Sequence, residues 1–292
     1  MTIRSSAVLP FLQLLSLCVA LLLSPVPGLY SDTALPDIAT LVFLIGGLPH
    51  GAFDIHRVAN RARLGRVQLA TFLAVYVAMV VLALLLWRMA PSFVLALFLV
   101  TAIVHFSEDW PEIKEPLFRI ALGFAPICAI GVAHPTEVDA IFSAMAGPVT
   151  ADVITKIFVL VAPVTLLVSV VGLGVAARDI DWSRPVLFAL LIGSLFVLPP
   201  LVGFAVFFCL FHTPRHFGAI QSELSGWTAK QFALVAFGIS ALAVALGVLL
   251  SPMALVGGIA TAAAGFQLLA AVALPHQSVG LFEKLLSRQT RA

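Results

Sequence analysis

His212 and His216 stand four residues apart in Phe211-His212-Thr213-Pro214-Arg215-His216-Phe217, in the most aromatic part of the chain. On a helix that spacing projects both imidazoles from one face, with Cβ atoms roughly 5–6 Å apart, close enough to hold one metal ion between them. Further histidines occur in other apolar stretches: His50 in Gly46-Gly47-Leu48-Pro49-His50-Gly51-Ala52-Phe53-Asp54, His105 in Val104-His105-Phe106-Ser107-Glu108-Asp109, and His276 directly after Pro275. Several neutral imidazoles around a divalent cation make a chemically sensible donor set, and the cation offsets the cost of burying them. Asp54 follows His50 by four residues and Asp109 follows His105 by four. On a helix each carboxylate shares its histidine's face and could accept a hydrogen bond from the second ring nitrogen. The bland reading of these two aspartates is that they cap helix ends or pair with Arg57 and Lys114 at an interface.

These side chains must be positioned by an apolar scaffold. The chain has 292 residues, 61% hydrophobic and 10% charged, with a mean hydropathy of +1.12; a soluble domain carries about 25% charged residues. The expectation is an all-α, polytopic integral membrane bundle forming a single domain over residues 1–292. No fixed-period repeat, low-complexity tract or linker separates a second unit. Apolar segments fall at about 7–23, 36–56, 67–89, 91–108, 117–133, 152–177, 185–199, 201–220, 229–250 and 253–274, about ten segments at ~20 residues per span. The 185–199 segment is short and runs into Pro199-Pro200, which suits a tilted or half-membrane piece.

Arg57, Arg61, Arg63 and Arg66 follow the second segment, and lysine and arginine collect on the cytoplasmic side of short loops. Ten spans then put both termini in the cytoplasm. They also bring His50, His105, His212, His216 and His276, all from even-numbered segments, toward one face and one depth. His134 falls on the opposite side, in a stretch read as a loop, and His56 sits among arginines at the interface; neither receives a role. An ionisable residue within a span is by default a functional candidate, because something must offset its desolvation. Pro214 removes a backbone hydrogen bond between the two histidines, and irregular backbone at that depth is tolerated where it lines a cavity. Arg215 snorkels to the interface or pairs with an acidic residue.

Composition also excludes functions. A net charge of +2 provides no basic face for nucleic acid. Cys18, Cys128 and Cys209 lie in apolar runs without metal-type spacing and read as buried thiols. The lysines, Lys114, Lys156, Lys230 and Lys284, lie outside mid-span positions, so none suits a retinal Schiff base.

The ordered motifs Gly47-Leu48-Pro49-His50-Gly51-Ala52 with Asp54, His105-Phe106 with acidic residues after it, His212-x-x-Arg215-His216 and Pro275-His276 resemble the Brp/Blh family of bacterial and archaeal β-carotene 15,15′-dioxygenases. The resemblance runs from residue 46 to residue 276 and implies that His50, His105, His212 and His216 are ligands of an iron(II) centre. It further implies cleavage of β-carotene with O2 into two retinal molecules in the plasma (inner) membrane, with retinal supplied to a rhodopsin. Many relatives place a histidine directly after the motif aspartate. Here Ile55 intervenes before His56, and no role carries over to it. Asp54, Asp109 and His276 remain candidates for supporting the ligands from behind.

The residue types agree with that chemistry. Four nitrogen ligands leave up to two positions open for O2. A long polyene dissolves only in the bilayer, and Phe204, Phe207, Phe208, Phe211 and Phe217 offer flat apolar walls for a tunnel; the alternative for each is ordinary bundle packing. Three rivals stand beside this reading. A membrane di-iron hydroxylase or desaturase typically needs about eight or more histidines and adjacent pairs, whereas this chain has 7 and no adjacent pair. A bis-histidine haem protein and a proton-coupled transporter with a histidine relay are separable by optical absorption and by metal content.

Overall fold

The computed structural model describes residue 13 and residues 34–62, 64–224 and 226–289. Among them every regular element is helical. In chain order these are α1 (Leu35–Gly47), a 3-10 turn (Leu48–Phe53), α2 (Asp54–Ala62), α3 (Arg66–Met89), α4 (Pro91–Ser107) and α5 (Pro116–Ala133). They continue through α6 (Pro135–Ala146), α7 (Pro148–Val175), α8 (Ser183–Val197), α9 (Pro200–Val206), a π turn (Phe207–His212) and α10 (Thr213–Glu223). Last come α11 (Ala229–Leu250), a 3-10 turn (Pro252–Leu255) and α12 (Ile259–Gln289). The first expected span, 7–23, and Cys18 lie outside the described residues, apart from Gln13.

Proline sets many of these boundaries. Pro91, Pro116, Pro135, Pro148, Pro200 and Pro214 all stand in the first turn of a helix, where the missing N–H has no intrahelical partner to lose. Six helical stretches are long and apolar enough to cross a membrane: Leu35–Ala59, Arg66–Met89, Pro116–Ala133, Pro148–Val175, Lys230–Leu249 and Ile259–Val279. Pro91–Ser107 and Ser183–Val197 are shorter apolar helices.

Three sequence expectations change shape in the fold. The 201–220 segment is α9, a π turn and α10 in succession rather than one regular helix. The 36–56 segment is broken by the 3-10 turn that carries His50. The stretch after His134 forms α6, and the His134 Nε2 atom lies 3.2 Å from the Leu195 carbonyl oxygen.

Where lipid surrounds the helices, association depends on close packing more than on hydrophobic transfer. The core is accordingly interlocked around Phe43, Leu95, Phe106, Leu195, Phe207 and Phe208. A Cβ on Gly123 would lie 2.4 Å from the Ser107 backbone nitrogen, so glycine lets α5 rest directly on the end of α4. By contrast, α3 and α11 present Val75, Leu82, Leu85, Leu234, Leu242 and Leu249 outward, as helices facing acyl chains do.

Candidate metal centre

Three imidazoles from two separate parts of the chain meet at the end of α4. His105 lies in the last turn of α4, His212 ends the π turn, and His216 lies in the first turns of α10. Each offers a ring nitrogen, and the three nitrogens all lie within 4.8 Å of one another. Ring centroids are 4.7 Å apart for His105 and His212, 5.0 Å for His105 and His216, and 4.5 Å for His212 and His216. His212 is fully buried, and His105 is 8% exposed.

The π turn follows from the sequence. Pro214 has no N–H to give to the Leu210 carbonyl four residues earlier. That carbonyl accepts instead from the Gln13 side-chain amide, with Nε2 at 2.6 Å. A wider turn also rotates the side chains that follow, and such turns recur at functional sites. Phe208 then stacks on His212, with centroids 5.2 Å apart and planes at 7°. Gly47 makes room for this arrangement: a Cβ there would sit 1.9 Å from Phe208 Cε1. Gly47 is thus a packing requirement of the imidazole cluster, while a Cβ on Gly46 would meet Cys209 Sγ at 2.6 Å.

Carboxylates stand behind the rings. Asp109 Oδ2 lies 3.0 Å from His212 Nδ1, and Asp109 Oδ1 lies 3.6 Å from His216 Nε2. Glu108 Oε2 is 3.4 Å from His105 Nδ1. Asp54 Oδ2 lies 2.8 Å from His276 Nδ1 and accepts from the Tyr76 hydroxyl at 3.2 Å. The expected pairing of Asp109 with His105 along one helix is therefore replaced by pairing with His212, because α4 ends at Ser107 and Asp109 sits in the turn beyond it. Asp54 lies at the start of α2 and reaches α12. Neither aspartate takes the interfacial role: Arg57 pairs with Glu223 at 3.2 Å, and Lys114 pairs with Asp179 at 3.6 Å.

Arg215 is half-buried, and its guanidinium turns into the protein rather than snorkelling. Its guanidinium donates to the Asp109 carbonyl at 2.7 Å and lies 5.1 Å from the Trp110 ring centroid. Arg184 lies 5.2 Å from the centroid of that ring, so both cations use the indole. Burial pushes the Asp109 carboxyl up to about 8, and Arg215 and Arg184 oppose the shift.

These residues fit a metal ion. Imidazole nitrogens are borderline ligands, and a carboxylate accepting from the second ring nitrogen is the usual support of a ligating histidine. With Nδ1 of His212 held by Asp109, Nε2 is the atom a metal would take. Buried Asp109 Oδ1 makes no hydrogen bond among the described residues, and a cation beside it would relieve that cost. The backbone of His50 lies in the Leu48–Phe53 turn; its side chain lies outside the described residues.

Apolar space adjoins the cluster. A partly open cleft, roughly 460 Å³ including the space at its mouth, is bordered by His105, His276, Phe106, Phe208 and Gly51. A second, of roughly 660 Å³, is lined by Phe142, Met145, Phe158, Phe204 and Phe266. Phe98, Ala102 and Phe106 border both. Of the phenylalanines expected to wall a tunnel, Phe204 and Phe208 border these clefts. Phe207 and Phe211 line a smaller space beside Asp109 and Arg215. Phe217 packs elsewhere, against Phe53 and Phe232. His56 meets the edge of Trp227 at 4.8 Å between centroids. Glu108 and Tyr76 were missed by sequence reasoning: Glu108 had only its adjacency to Asp109 as a signal, and Tyr76 only its position as one of 2 tyrosines in the chain.

The fold and site define an all-helical protein with membrane-length helices, in which largely buried imidazoles able to hold a metal adjoin a mainly apolar cleft. The family described as β-carotene 15,15′-dioxygenase matches residues 40–282, and the chain belongs to it. It is similar to the β-carotene 15,15′-dioxygenase of an uncultured marine bacterium (66A03), with 28% identity over 217 residues, 66% of this chain and 72% of that protein. No solved structure matches it.

Proposed function

We propose that this protein cleaves β-carotene oxidatively at its central 15,15′ double bond, giving two molecules of retinal, with O2 as co-substrate and iron(II) held by His50, His105, His212 and His216. The observation that carries the reading is the meeting of His105, His212 and His216 at the end of apolar clefts that share Phe98, Ala102 and Phe106 as walls. A hydrocarbon polyene has no polar atom to satisfy, so a cleft lined by phenylalanine, leucine and alanine suits it and excludes water. When bound, ferrous iron supplies the redox chemistry that lets O2 react with a carbon–carbon double bond.

The protein's own residues hold and orient. Asp109 fixes the His212 tautomer, Phe208 fixes the plane of its ring, and Arg215 anchors the turn that carries Asp109. Phe98 and Phe106 offer flat faces to a conjugated chain where the clefts join. The net reaction is balanced: one carbon–carbon double bond and one O2 become two aldehyde carbonyls, with no external reductant.

The reading also includes ten spans, both termini in the cytoplasm, an inner-membrane location and delivery of retinal to a rhodopsin. Arginines after the second segment and the shared level of the histidines support that orientation. The test is expression in β-carotene-producing cells: bleaching with retinal formation is expected. Persistent colour in cells that contain the iron-loaded protein would overturn the assignment.

A further inference from the structure

Helix α6 lies outside every segment expected to span the membrane. Its 12 residues reach only about 18 Å, short of a hydrocarbon core of about 30 Å. It nevertheless turns one face inward: Val138, Ile141, Phe142 and Met145, spaced as one side of a helix, all line the cleft of roughly 660 Å³. The helix is pinned at both ends. At its start His134 Nε2 lies 3.2 Å from the Leu195 carbonyl oxygen of α8, and near its end the Gln267 side-chain amide of α12 donates to the Met145 carbonyl at 3.5 Å. Val138, Ile141 and Met145 are 5%, 5% and 4% exposed, so on this side the cleft has a closed wall. Phe158 of α7 thickens that wall, its ring centroid 6.0 Å from that of Phe142. Gly131 admits Phe158, since a Cβ there would lie 2.6 Å from Phe158 Cδ2.

The route from this wall to the imidazole cluster follows one face of α4. Phe98, Ala102 and His105 are spaced by four and three residues and share that face. Phe98 and Ala102 border both clefts, and His105 borders the one beside the cluster. Phe98 stands roughly 10 Å from His105 along the helix axis, a length of the order of half a carotenoid's conjugated chain. Every described side chain lining the α6 cleft is apolar, whereas His105, His276 and Gln277 border the other. A hydrocarbon ring leaves no polar group unpaired in such a lining. We infer that the α6 cleft receives one ring end of β-carotene, and that Val138, Ile141 and Met145 form the stop that decides which double bond lies at the metal.

A stop of this kind answers a problem set by the substrate. A conjugated hydrocarbon has no polar atom by which its middle could be recognised, and its successive double bonds look alike to an apolar wall. β-Carotene is symmetric about its central bond, so a fixed distance from one ring places that bond without any contact to the other half. The other half extends through the partly open cleft beside the cluster. The reaction balances wherever the cut falls, because one carbon–carbon double bond and one O2 give two carbonyls. At the double bond next to the centre, the products are an aldehyde longer than retinal and a ketone shorter than retinal.

The inference rests on the reading under Proposed function, and its test separates the two. Wild-type protein in detergent, reconstituted with ferrous iron, is given β-carotene and a symmetric homologue whose conjugated chain is lengthened in the middle, and the products are identified by chromatography and mass. Measured from one ring, the homologue is expected to yield retinal and one longer aldehyde. Two equal aldehydes, or refusal of the homologue, would overturn the inference. With β-carotene, Met145→Ala should raise the off-centre pair about tenfold or more relative to retinal, and Ile141→Val, a smaller deletion, should shift it in the same direction. Retinal as the sole product of both folded variants would overturn it as well. Val138→Phe, which fills the cleft, should weaken binding of β-carotene to the metal-free protein by about tenfold, followed by quenching of tryptophan fluorescence; unchanged binding would mean that the ring does not lie there. If wild type cleaves neither polyene, the reading under Proposed function fails, and the binding comparison still decides whether the α6 cleft takes the ring.

Discussion

Asp109 Oδ2 and His212 Nδ1 lie 3.0 Å apart across a separation of 103 residues in the chain, both of them buried. A hydrogen bond from the imidazole to this carboxylate selects one tautomer and presents Nε2 to the cluster. Replacing Asp109 by Asn keeps the shape and exchanges the carboxyl group for an amide. Asp109→Asn should weaken metal binding by about 10- to 100-fold. The check is metal content after dialysis against a graded series of chelator concentrations, with unchanged retention ruling the support out.

The ligand set itself is tested by truncation. His105→Ala, His212→Ala and His216→Ala each remove one of three nitrogens that lie within 4.8 Å of one another, and each should abolish stoichiometric metal. His50→Ala should do the same if the fourth ligand is as proposed. His134→Ala should keep its metal, because His134 lies against the Leu195 carbonyl. Equal metal content in all five variants would remove the site.

Gly47 lies against Phe208, with a Cβ at that position 1.9 Å from Phe208 Cε1. Gly47→Ala must displace the ring that stacks on His212. Overpacking of this kind costs about 1–3 kcal/mol. A lower unfolding temperature in detergent together with reduced metal occupancy is expected, while a variant as stable and as fully loaded as wild type would contradict the packing account.

Ala102 borders both clefts and is 4% exposed. Ala102→Phe would fill the space they share while leaving every histidine and carboxylate of the site in place. Metal content should stay at the wild-type level, and retinal formation should fall by about tenfold or more, each factor of ten being roughly 1.4 kcal/mol of barrier. Normal turnover in that variant would mean that the substrate does not pass through the junction.

The order of motifs carried much of the site. Histidine spacing in His212-x-x-x-His216 and the distant His105 were legible because an imidazole in an apolar segment is costly and therefore informative. Partnership was not. Counting four residues forward paired Asp109 with His105, but a helix has to continue for that rule to hold, and α4 stops at Ser107. Asp109 turns across to the π segment instead. Tyr76 was invisible for a related reason: a phenol in an otherwise outward-facing apolar helix shows its partner only when the opposing carboxylate is in place.

Composition and hydrophobic run length determined an all-helical chain built for the bilayer, since only self-satisfied backbone survives without water. Residue type, spacing and position in the chain marked His50, His105, His212 and His216 as candidates for metal; the described side chains bring together His105, His212 and His216. The tertiary structure decided which carboxylate serves which ring, where Pro214 opens the helix, and which phenylalanines border the cleft rather than pack behind it. Those choices depend on helix ends, close approaches and rotations about the helix axis, which are fixed by contacts between segments far apart in the chain and so are not written in any one of them.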